Sequence, residues 1–314
     1  MSQSLHVLSP QKTLRNPIGC VGVGLHTGLK VAMTLNPAPA DSGIRFRRHD
    51  LAGAEAVPAS WDRVSDTTMC TTLKTDPGAG KIATIEHLMA ALAACEIDNV
   101  LVELSGPEVP IMDGSARPFV FLIECAGVLE QGTPRRWIEI VKPIEVQGHE
   151  RMARLEPADG FEIDCEIRFD HPVIDSQSLA LAFAPEIFKS EIAPARTFGF
   201  AERVEELWAR GLALGGSLKN AVVVSHDRVL NEEGLRFPDE FVRHKVLDSL
   251  GDLYLAGAPI RGRFVGRCAG HGLHNRLLRA LFEDQSAWRF ASEPETPALD
   301  PVEIPLRRAS GGAG

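Results

Sequence analysis

A nine-residue stretch, 161–169, constrains the fold more than any other part of the sequence. Its odd positions are all apolar and its even positions are all charged. A period of two is typical of a β-strand with one buried face and one face in water. The chain therefore contains at least one sheet that covers a core on one side only.

Strand and helix patterns alternate along the rest of the chain. Apolar runs and period-two patterns predict strands over 31–35, 99–104, 137–146 and 221–224. Apolar spacings of three and four residues predict helices over 85–92, 118–126, 201–210, 238–256 and 273–283. The first helix is predicted to be amphipathic, with Thr84 as its N-cap. Since both halves mix the two patterns, the predicted fold class is α+β.

The chain length of 314 residues predicts two domains. Turn-forming and charged residues combine in the stretch 130–136, which is the best boundary. We therefore predict one domain over 1–132 and a second over 133–291. The tail, 292–314, is rich in Pro, Gly, Ala and charge without periodicity, and is predicted to be disordered.

Composition excludes several classes of protein. The net charge of −9 opposes nonspecific attraction to nucleic acid or to an anionic bilayer. The apolar run 88–95 is far shorter than the ~20 residues that a membrane span needs. The N-terminus lacks the pattern of a secretory signal, so we predict a cytoplasmic protein. The six cysteines contain no C-x-x-C pair, which argues against zinc held by thiolates.

Two predicted helices carry residues suited to a metal. His244 and Asp248 are four residues apart, so both project from one helix face, and Asp252 continues that face. Taken alone, this spacing is more often a solvated helix face than a metal site. The first helix carries Glu86 and His87, away from its apolar stripe. Two histidines, one aspartate and a water form a four-coordinate zinc site, with a free glutamate as base.

Other motifs are weaker. His271 stands between two glycines just before a helix, where the backbone can approach a ligand, and Thr197 lies in a short aromatic segment. The segment 22–28 imitates a dinucleotide fingerprint, but its last glycine spacing is wrong. By default, ordinary polar histidines are expected at His149, His171 and His274.

Six motifs follow one another between about residues 10 and 290: Gly22–Gly28, Thr84–Leu92, Pro110–Ala116, Ala195–Phe200, Phe241–Leu253 and Gly270–Asn275. In this order they resemble the UDP-3-O-acyl-N-acetylglucosamine deacetylases of Gram-negative lipid A biosynthesis. The resemblance implies two domains, each a two-layer α/β sandwich, with the active site in the cleft between them. It also implies hydrolysis of the N-acetyl group of UDP-3-O-(3-hydroxyacyl)-N-acetylglucosamine, the committed step of that pathway, which releases acetate and the free amine.

The resemblance further implies a role for each matching residue. One zinc ion per chain, with Fe²⁺ as an alternative, would be bound by His87, His244 and Asp248. Glu86 would be the general base, His271 an acid or electrostatic stabiliser, Thr197 the hydroxyl on the oxyanion side, and Asp252 the carboxylate that orients His271. Glu86 and His271 both remain candidates to protonate the leaving amine. We expect the enzyme to act as a monomer.

Substrate binding is also predicted from the resemblance. Lys245 matches a lysine near the UDP diphosphate. An apolar channel for the acyl chain is expected along Phe198, Val204, Leu207, Leu212, Ala213 and Leu218, a set that ordinary helix packing also explains. Relatives often carry a lysine shortly before the glycine-histidine motif, and here Arg267 is expected to replace it. His274 stands where Asn is common.

Two alternatives remain open at this point. The same ligands would suit a related metal amidase that acts on another acylated sugar. The chain would otherwise be a non-catalytic protein that binds a nucleotide sugar, with polar helix faces lining a docking cleft. The combination of Glu86, His87, His244 and Asp248 argues against a purely binding role.

Overall fold

The computed structural model describes residues 9–75 and 80–292. Of the tail that the sequence predicts to be disordered, only Ser292 lies within the described residues, where it ends a strand. The remainder of that prediction, 293–314, lies outside them.

The first half of the chain is built around a five-stranded sheet. Its strands and those of the smaller neighbouring sheets are β1 Pro10–Leu14, β2 Ile18–Val23, β3 Lys30–Pro37, β4 Ile44–Arg48, β5 Val57–Pro58, β6 Val64–Asp66, β7 Thr72–Lys74, β8 Lys81–Ile82, β9 Val100–Leu104 and β10 Val128–Pro134. The main sheet has the order β2-β3-β9-β4-β5, with β9 antiparallel to β3 and parallel to β4. Alternate residues of β3 and β9 are buried, as the period-two pattern requires.

A seven-stranded sheet organises the second half. The strands there are β11 Arg136–Ile140, β12 Ile144–Gly148, β13 Arg151–Glu156, β14 Phe161–Arg168, β15 Ser176–Ala182, β16 Phe198–Phe200, β17 Val222–Ser225, β18 Arg228–Val229, β19 Ile260–Arg267 and β20 Trp288–Ser292. The main order is β12-β13-β19-β11-β20, and β14 pairs with both β15 and β19. Each half also contains a short three-stranded sheet. The sheet of the first half is β6-β7-β8, and that of the second half is β16-β17-β18.

Helices cover one side of each main sheet. They are α1 Glu86–Ala94, α2 Arg117–Ala126, α3 Pro185–Ile187, α4 Val204–Ala209, α5 Glu240–Leu253 and α6 His271–Glu283. In the first half α2 packs against β2 and α1, and in the second half α5 packs against β14 and β15 while α6 packs against β12 and β13. The predicted α+β class, with a sheet and a helix layer in each half, is confirmed. Among the described helices, none has both the length and the apolar character needed to cross a bilayer.

The two halves meet through α1 and α5, and a glycine makes this contact close. An added Cβ at Gly251 of α5 would overlap the carbonyl oxygen of Glu86 and lie 3.1 Å from the backbone nitrogen of Ala90. Only glycine allows two helix backbones to approach so closely. The first turn of α1 is thereby held against the face of α5 that carries the predicted ligands.

Several sequence predictions are confirmed and two are wrong. The strand predicted at 161–169 is β14, with Ile163, Cys165 and Ile167 buried. In contrast, α1 is not amphipathic: all its residues are buried, because α2 and α5 both pack against it. Thr84 is not its N-cap, since Ile85 occupies that position and the Thr84 hydroxyl donates to Glu108 Oε1 at 2.8 Å.

Candidate active site

The three predicted metal ligands meet where α1 contacts α5. His87 is in the first turn of α1, and His244 and Asp248 lie one turn apart on α5. All three side chains are buried, and their candidate ligand atoms lie within 4.8 Å of one another. Asp248 Oδ1 is 3.4 Å from His244 Nε2 and 3.6 Å from His87 Nε2. Two imidazoles and one carboxylate therefore converge from the two halves of the chain.

The chemistry of these atoms fits a divalent metal ion. Among the described residues, Asp248 Oδ1 and His87 Nδ1 are buried without a hydrogen-bond partner. His244 Nδ1 lies 3.1 Å from the Ala195 carbonyl, and donating to it leaves Nε2 unprotonated. Burial lowers the pKa of His244 to about 3, so its imidazole is neutral. Neutral imidazoles and an ionised carboxylate are the forms that a metal requires.

Lys245 stabilises the charge on the carboxylate ligand. Its Nζ donates to Asp248 Oδ2 at 2.8 Å. Burial favours the protonated acid, but the charge of His244 when it is protonated and the charge of Lys245 outweigh it, and they hold the pKa of Asp248 well below its usual range. Burial likewise disfavours the ammonium, yet the Asp248 carboxylate raises the pKa of Lys245. Asp248 is therefore an ionised carboxylate with one oxygen held by Lys245 and the other directed at the histidines.

Glu86 lies beside the three candidate ligands and is not part of their group. Its Oε2 accepts a hydrogen bond from the Thr71 backbone N–H at 3.0 Å, and its Oε1 lies 3.9 Å from His271 Nε2. The carboxyl group is buried, and this burial raises its pKa. A buried carboxyl with a raised pKa next to a metal site has the environment of a general base.

A second polar cluster is built around Asp252, one turn after Asp248. Asp252 Oδ2 lies 2.7 Å from Nδ1 of His271 and 2.7 Å from Nδ1 of His274, while Oδ1 accepts from the Thr71 hydroxyl at 2.5 Å. Burial disfavours the imidazolium form of His271, but the Asp252 carboxylate outweighs it, and the pKa of His271 is raised to about 9. At neutral pH His271 therefore carries a proton on Nε2, facing Glu86.

Sequence comparisons show the family of the chain. Residues 11–283 match the family model described as LpxC: UDP-3-O-acyl N-acetylglycosamine deacetylase. The chain belongs to this family. A UDP-3-O-acyl-N-acetylglucosamine deacetylase of Xanthomonas axonopodis pv. citri (strain 306) is 50% identical over 297 residues, which cover 94% of this chain and 97% of the relative. The enzyme of the same name from Acidithiobacillus ferrooxidans (strain ATCC 53993 / BNL-5-31) is 52% identical over 290 residues, covering 92% and 95%.

Membership of the deacetylase family confirms the predicted activity. The chain is a hydrolase that removes the acetyl group from UDP-3-O-acyl-N-acetylglucosamine in lipid A biosynthesis, and its substrate is therefore a UDP-linked sugar. Enzymes of this family are metal-dependent, and the group of His87, His244 and Asp248 can hold an ion.

The backbone of Thr197 lies close to α5, the helix that carries His244 and Asp248. Thr197 follows Ala195, whose carbonyl contacts His244, by two residues. The Thr197 N–H donates to the Gly114 carbonyl, and the Thr197 carbonyl accepts from Val222, both at 2.8 Å. Gly114 itself has a φ of 86° and lies against the Asn220 carbonyl, so a side chain there would displace this segment. The oxyanion role of Thr197 stays a prediction.

The predicted acyl-binding residues extend away from the metal ligands. The Phe198 ring lies 6.3 Å from the His244 ring and 5.6 Å from that of Phe169. Farther along the chain, Leu207 is buried, Val204, Leu212 and Ala213 are half-buried, and Leu218 is exposed. A cleft of about 460 Å³ beside Phe198, lined by residues that include Phe169, His171 and Phe200, was missed by the sequence reasoning. The channel itself stays a prediction.

Arg267 already has strong partners. Its guanidinium lies 2.9 Å from the Asp164 carboxylate and 3.5 Å from that of Glu166. To bind a diphosphate it would have to exchange these contacts. A second cleft, of about 760 Å³, begins at His271 and is lined by two further arginines, Arg151 and Arg276. Neither arginine was found from the sequence, since they are 125 positions apart and belong to no motif.

Sequence reasoning also missed the place of two buried polar residues around the site. Thr71 was not considered, and the expectation that His274 is an ordinary polar histidine is wrong, because it is fully buried against Asp252. Thr71 holds both Glu86 and Asp252, and His274 shares Asp252 with His271. The spacing of His271 and His274, three residues apart on one helix, could have indicated their proximity. Thr71 precedes a short strand and has no such signal.

Proposed function

We propose that the deacetylase binds one zinc ion through His87, His244 and Asp248. The observation that supports this most is the meeting of two buried imidazoles with a buried carboxylate oxygen that no described hydrogen-bond donor satisfies. Two imidazoles and one carboxylate are a ligand set found in catalytic zinc sites, and Fe²⁺ is the alternative ion. When bound, zinc supplies an open coordination position and a Lewis acid.

Glu86 accepts the proton of the attacking water. The Thr71 N–H fixes one carboxylate oxygen and leaves the other on the side of His271. Since burial raises the pKa of Glu86, the carboxylate is a stronger base than an exposed glutamate and returns the proton less readily to solvent. This position beside the ligands suits a base that acts on water next to the ion.

His271 stabilises the negative charge that develops on the amide oxygen. The Asp252 carboxylate holds its Nδ1–H, so the remaining proton is on Nε2, the atom that faces the site. An imidazolium held in a buried cleft stabilises an oxyanion more strongly than it would in water. We assign the Thr197 hydroxyl to the same oxygen. The leaving amine takes its proton from His271 or from protonated Glu86.

Substrate binding uses the surroundings of these residues. Lys245, between Asp248 and the Phe198 ring, and Arg267 are the proposed contacts of the diphosphate; the cleft of Arg151 and Arg276 provides further positive charge beside His271. The acyl chain is proposed to follow Phe198, Val204, Leu207, Leu212, Ala213 and Leu218. We further propose that the enzyme acts as a cytoplasmic monomer. Its two domains are proposed to divide near residue 132. Strand β10 crosses this point, since it pairs with β1 of the first half and ends at Pro134.

The test combines metal content with turnover of the UDP-linked substrate. His244→Ala should lose both stoichiometric zinc and deacetylation. Glu86→Gln should keep one zinc per chain and lose about 10²–10⁴-fold in kcat, the usual contribution of a general base. His49→Ala, at an exposed histidine that lines neither of the two clefts described above, is the control and should change neither. Full zinc and full activity in His244→Ala would refute the proposed ligand set.

A further inference from the structure

The polar cluster around Asp252 contains a histidine to which the proposed mechanism gives no role. His274 is fully buried on α6, one turn after His271, and its Nδ1 lies as close to Asp252 Oδ2 as that of His271, at 2.7 Å. Burying a polar ring costs free energy unless the ring is hydrogen-bonded. The contacts that compensate this cost therefore indicate what His274 does.

The proton positions follow from the shared oxygen. The Asp252 carboxylate accepts three hydrogen bonds and holds no proton to donate, so both imidazoles must present Nδ1–H to it. The same geometry argues against a metal ion between the three residues, although their ligand atoms also lie within 4.8 Å of one another. Two nitrogen–oxygen distances of 2.7 Å are those of charge-assisted hydrogen bonds, and a metal would require both Nδ1 atoms unprotonated.

The far side of His274 is also held. Its Nε2 lies 3.3 Å from the Ser249 hydroxyl, which is 2.8 Å from the Lys245 carbonyl and 3.8 Å from the Cys165 thiol. The Phe264 ring packs edge-on against the imidazole, with the centroids 5.5 Å apart. These contacts restrict the ring to one orientation, so its Nδ1–H is available at a fixed place.

We propose that His274 is a positioning residue for deacetylation: together with Thr71 it fixes the Asp252 carboxylate, so that Oδ2 holds the Nδ1–H of His271. The proposal rests on the proposed role of His271. Thr71 holds one carboxylate oxygen and His274 holds the other. Without His274, Oδ2 would keep only His271 as a partner, and no other group would fix that oxygen when the His271 ring moves.

A pair of substitutions separates the two contacts of His274. In His274→Asn, the side-chain amide nitrogen takes a position near that of Nδ1 and retains a donor to Asp252. In His274→Gln, the amide nitrogen corresponds to Nε2, which keeps the reach to Ser249 and loses the donor to Asp252. We expect His274→Gln to lower kcat about tenfold with KM and zinc content unchanged, a loss typical of supporting hydrogen bonds around a site. We expect His274→Asn to keep kcat within about threefold of the wild type.

Stability and spectroscopy provide the controls. Leu278→Ala, at a buried apolar position of the same helix, should lower Tm with little change in kcat of the folded enzyme. Proton NMR of the zinc-bound enzyme should show two downfield imidazole N–H signals from the Asp252 cluster, of which His274→Asn and His274→Gln each lose one. The signal of His271 should persist in His274→Asn and broaden or shift in His274→Gln.

Defined results would overturn the inference. Equal kcat in the Asn and Gln variants, or losses that follow Tm as in Leu278→Ala, would mean that His274 only supports the fold. A second equivalent of metal in the wild type that His274→Gln abolishes would replace the positioning role with a metal site. His271→Gln distinguishes the two levels, because full turnover in that variant would refute the proposed role of His271 itself. If His271→Gln lowers turnover while His274→Asn and His274→Gln have the same kcat, only the positioning role of His274 is refuted.

Discussion

Replacing Gly251 with alanine tests whether the contact between α1 and α5 assembles the metal site. The added Cβ would overlap the carbonyl oxygen of Glu86 and lie 3.1 Å from the Ala90 nitrogen. Both atoms belong to the backbone of a buried helix, so neither can rotate away as a side chain can. The two helices must therefore move apart at the point where His87 faces His244.

The magnitude follows from two opposing effects. Overpacking of this kind costs about 3 kcal/mol, at the upper end of its usual range, because no flexible group absorbs the overlap. The higher helix propensity of alanine stabilises the folded protein by ~1 kcal/mol and offsets part of this cost. The net loss of about 2 kcal/mol corresponds to a fall in Tm of about 3 °C for a chain of 314 residues. Separation of the ligands should also raise the Kd for zinc about tenfold.

Thermal unfolding and chelator competition measure the two effects. Gly160→Ala is the matched control, since an added Cβ there meets no heavy atom within 4 Å and the residue is exposed. It should change neither Tm nor zinc affinity. A Gly251→Ala variant that melts within 1 °C of the wild type and binds zinc as tightly would refute this account of the helix contact.

Three further predictions concern charge. Deacetylation should rise with pH as Glu86 ionises, at a pH above the usual glutamate range, and fall as the pH passes about 9 and His271 loses its proton; His271→Gln should abolish the alkaline fall in kcat. The pKa of His271 in the folded protein lies above its unfolded value of 6.5. Its ion pair with Asp252 therefore stabilises the fold fully below about pH 6.5, and this stabilisation is lost as the pH rises through about 9. Measurements of Tm as a function of pH test this. Arg135→Met removes a buried guanidinium that lies 2.8 Å from the half-buried Asp98 carboxylate, which keeps only the Lys12 backbone N–H, and should cost about 3 kcal/mol in urea unfolding. Arg289→Met, at an exposed ion pair, should cost at most about 1 kcal/mol, and equal losses in the two variants would contradict the reasoning.

Local patterns predicted much of the fold, because each depends on neighbouring residues. The alternation over 161–169 located β14, and the apolar spacing near 238–256 located α5. The character of α1 could not be predicted in this way. Its Ile85, Leu88, Met89 and Leu92 form an apolar stripe, but packing partners from distant segments bury the other faces as well.

The candidate site was predictable only in part for the same reason. The spacing of His244 and Asp248 places them on one helix face, and the family resemblance added His87 and Glu86. No local pattern shows that Gly251 brings α1 against α5, because the partner atoms are 165 positions away in sequence. Backbone donors such as the Thr71 N–H carry no side-chain signature at all.

The central claim is that imidazoles from α1 and α5 bind the same zinc ion beside the unligated Glu86. Crystals of the zinc-loaded enzyme, with diffraction measured on both sides of the zinc absorption edge, test it most directly. We expect one strong anomalous peak, about 2.0–2.2 Å from nitrogen atoms of His87 and His244 and from an oxygen of Asp248, with the Glu86 carboxylate outside the coordination sphere. A single peak elsewhere, or one bound by Glu86 in place of His87, would contradict it.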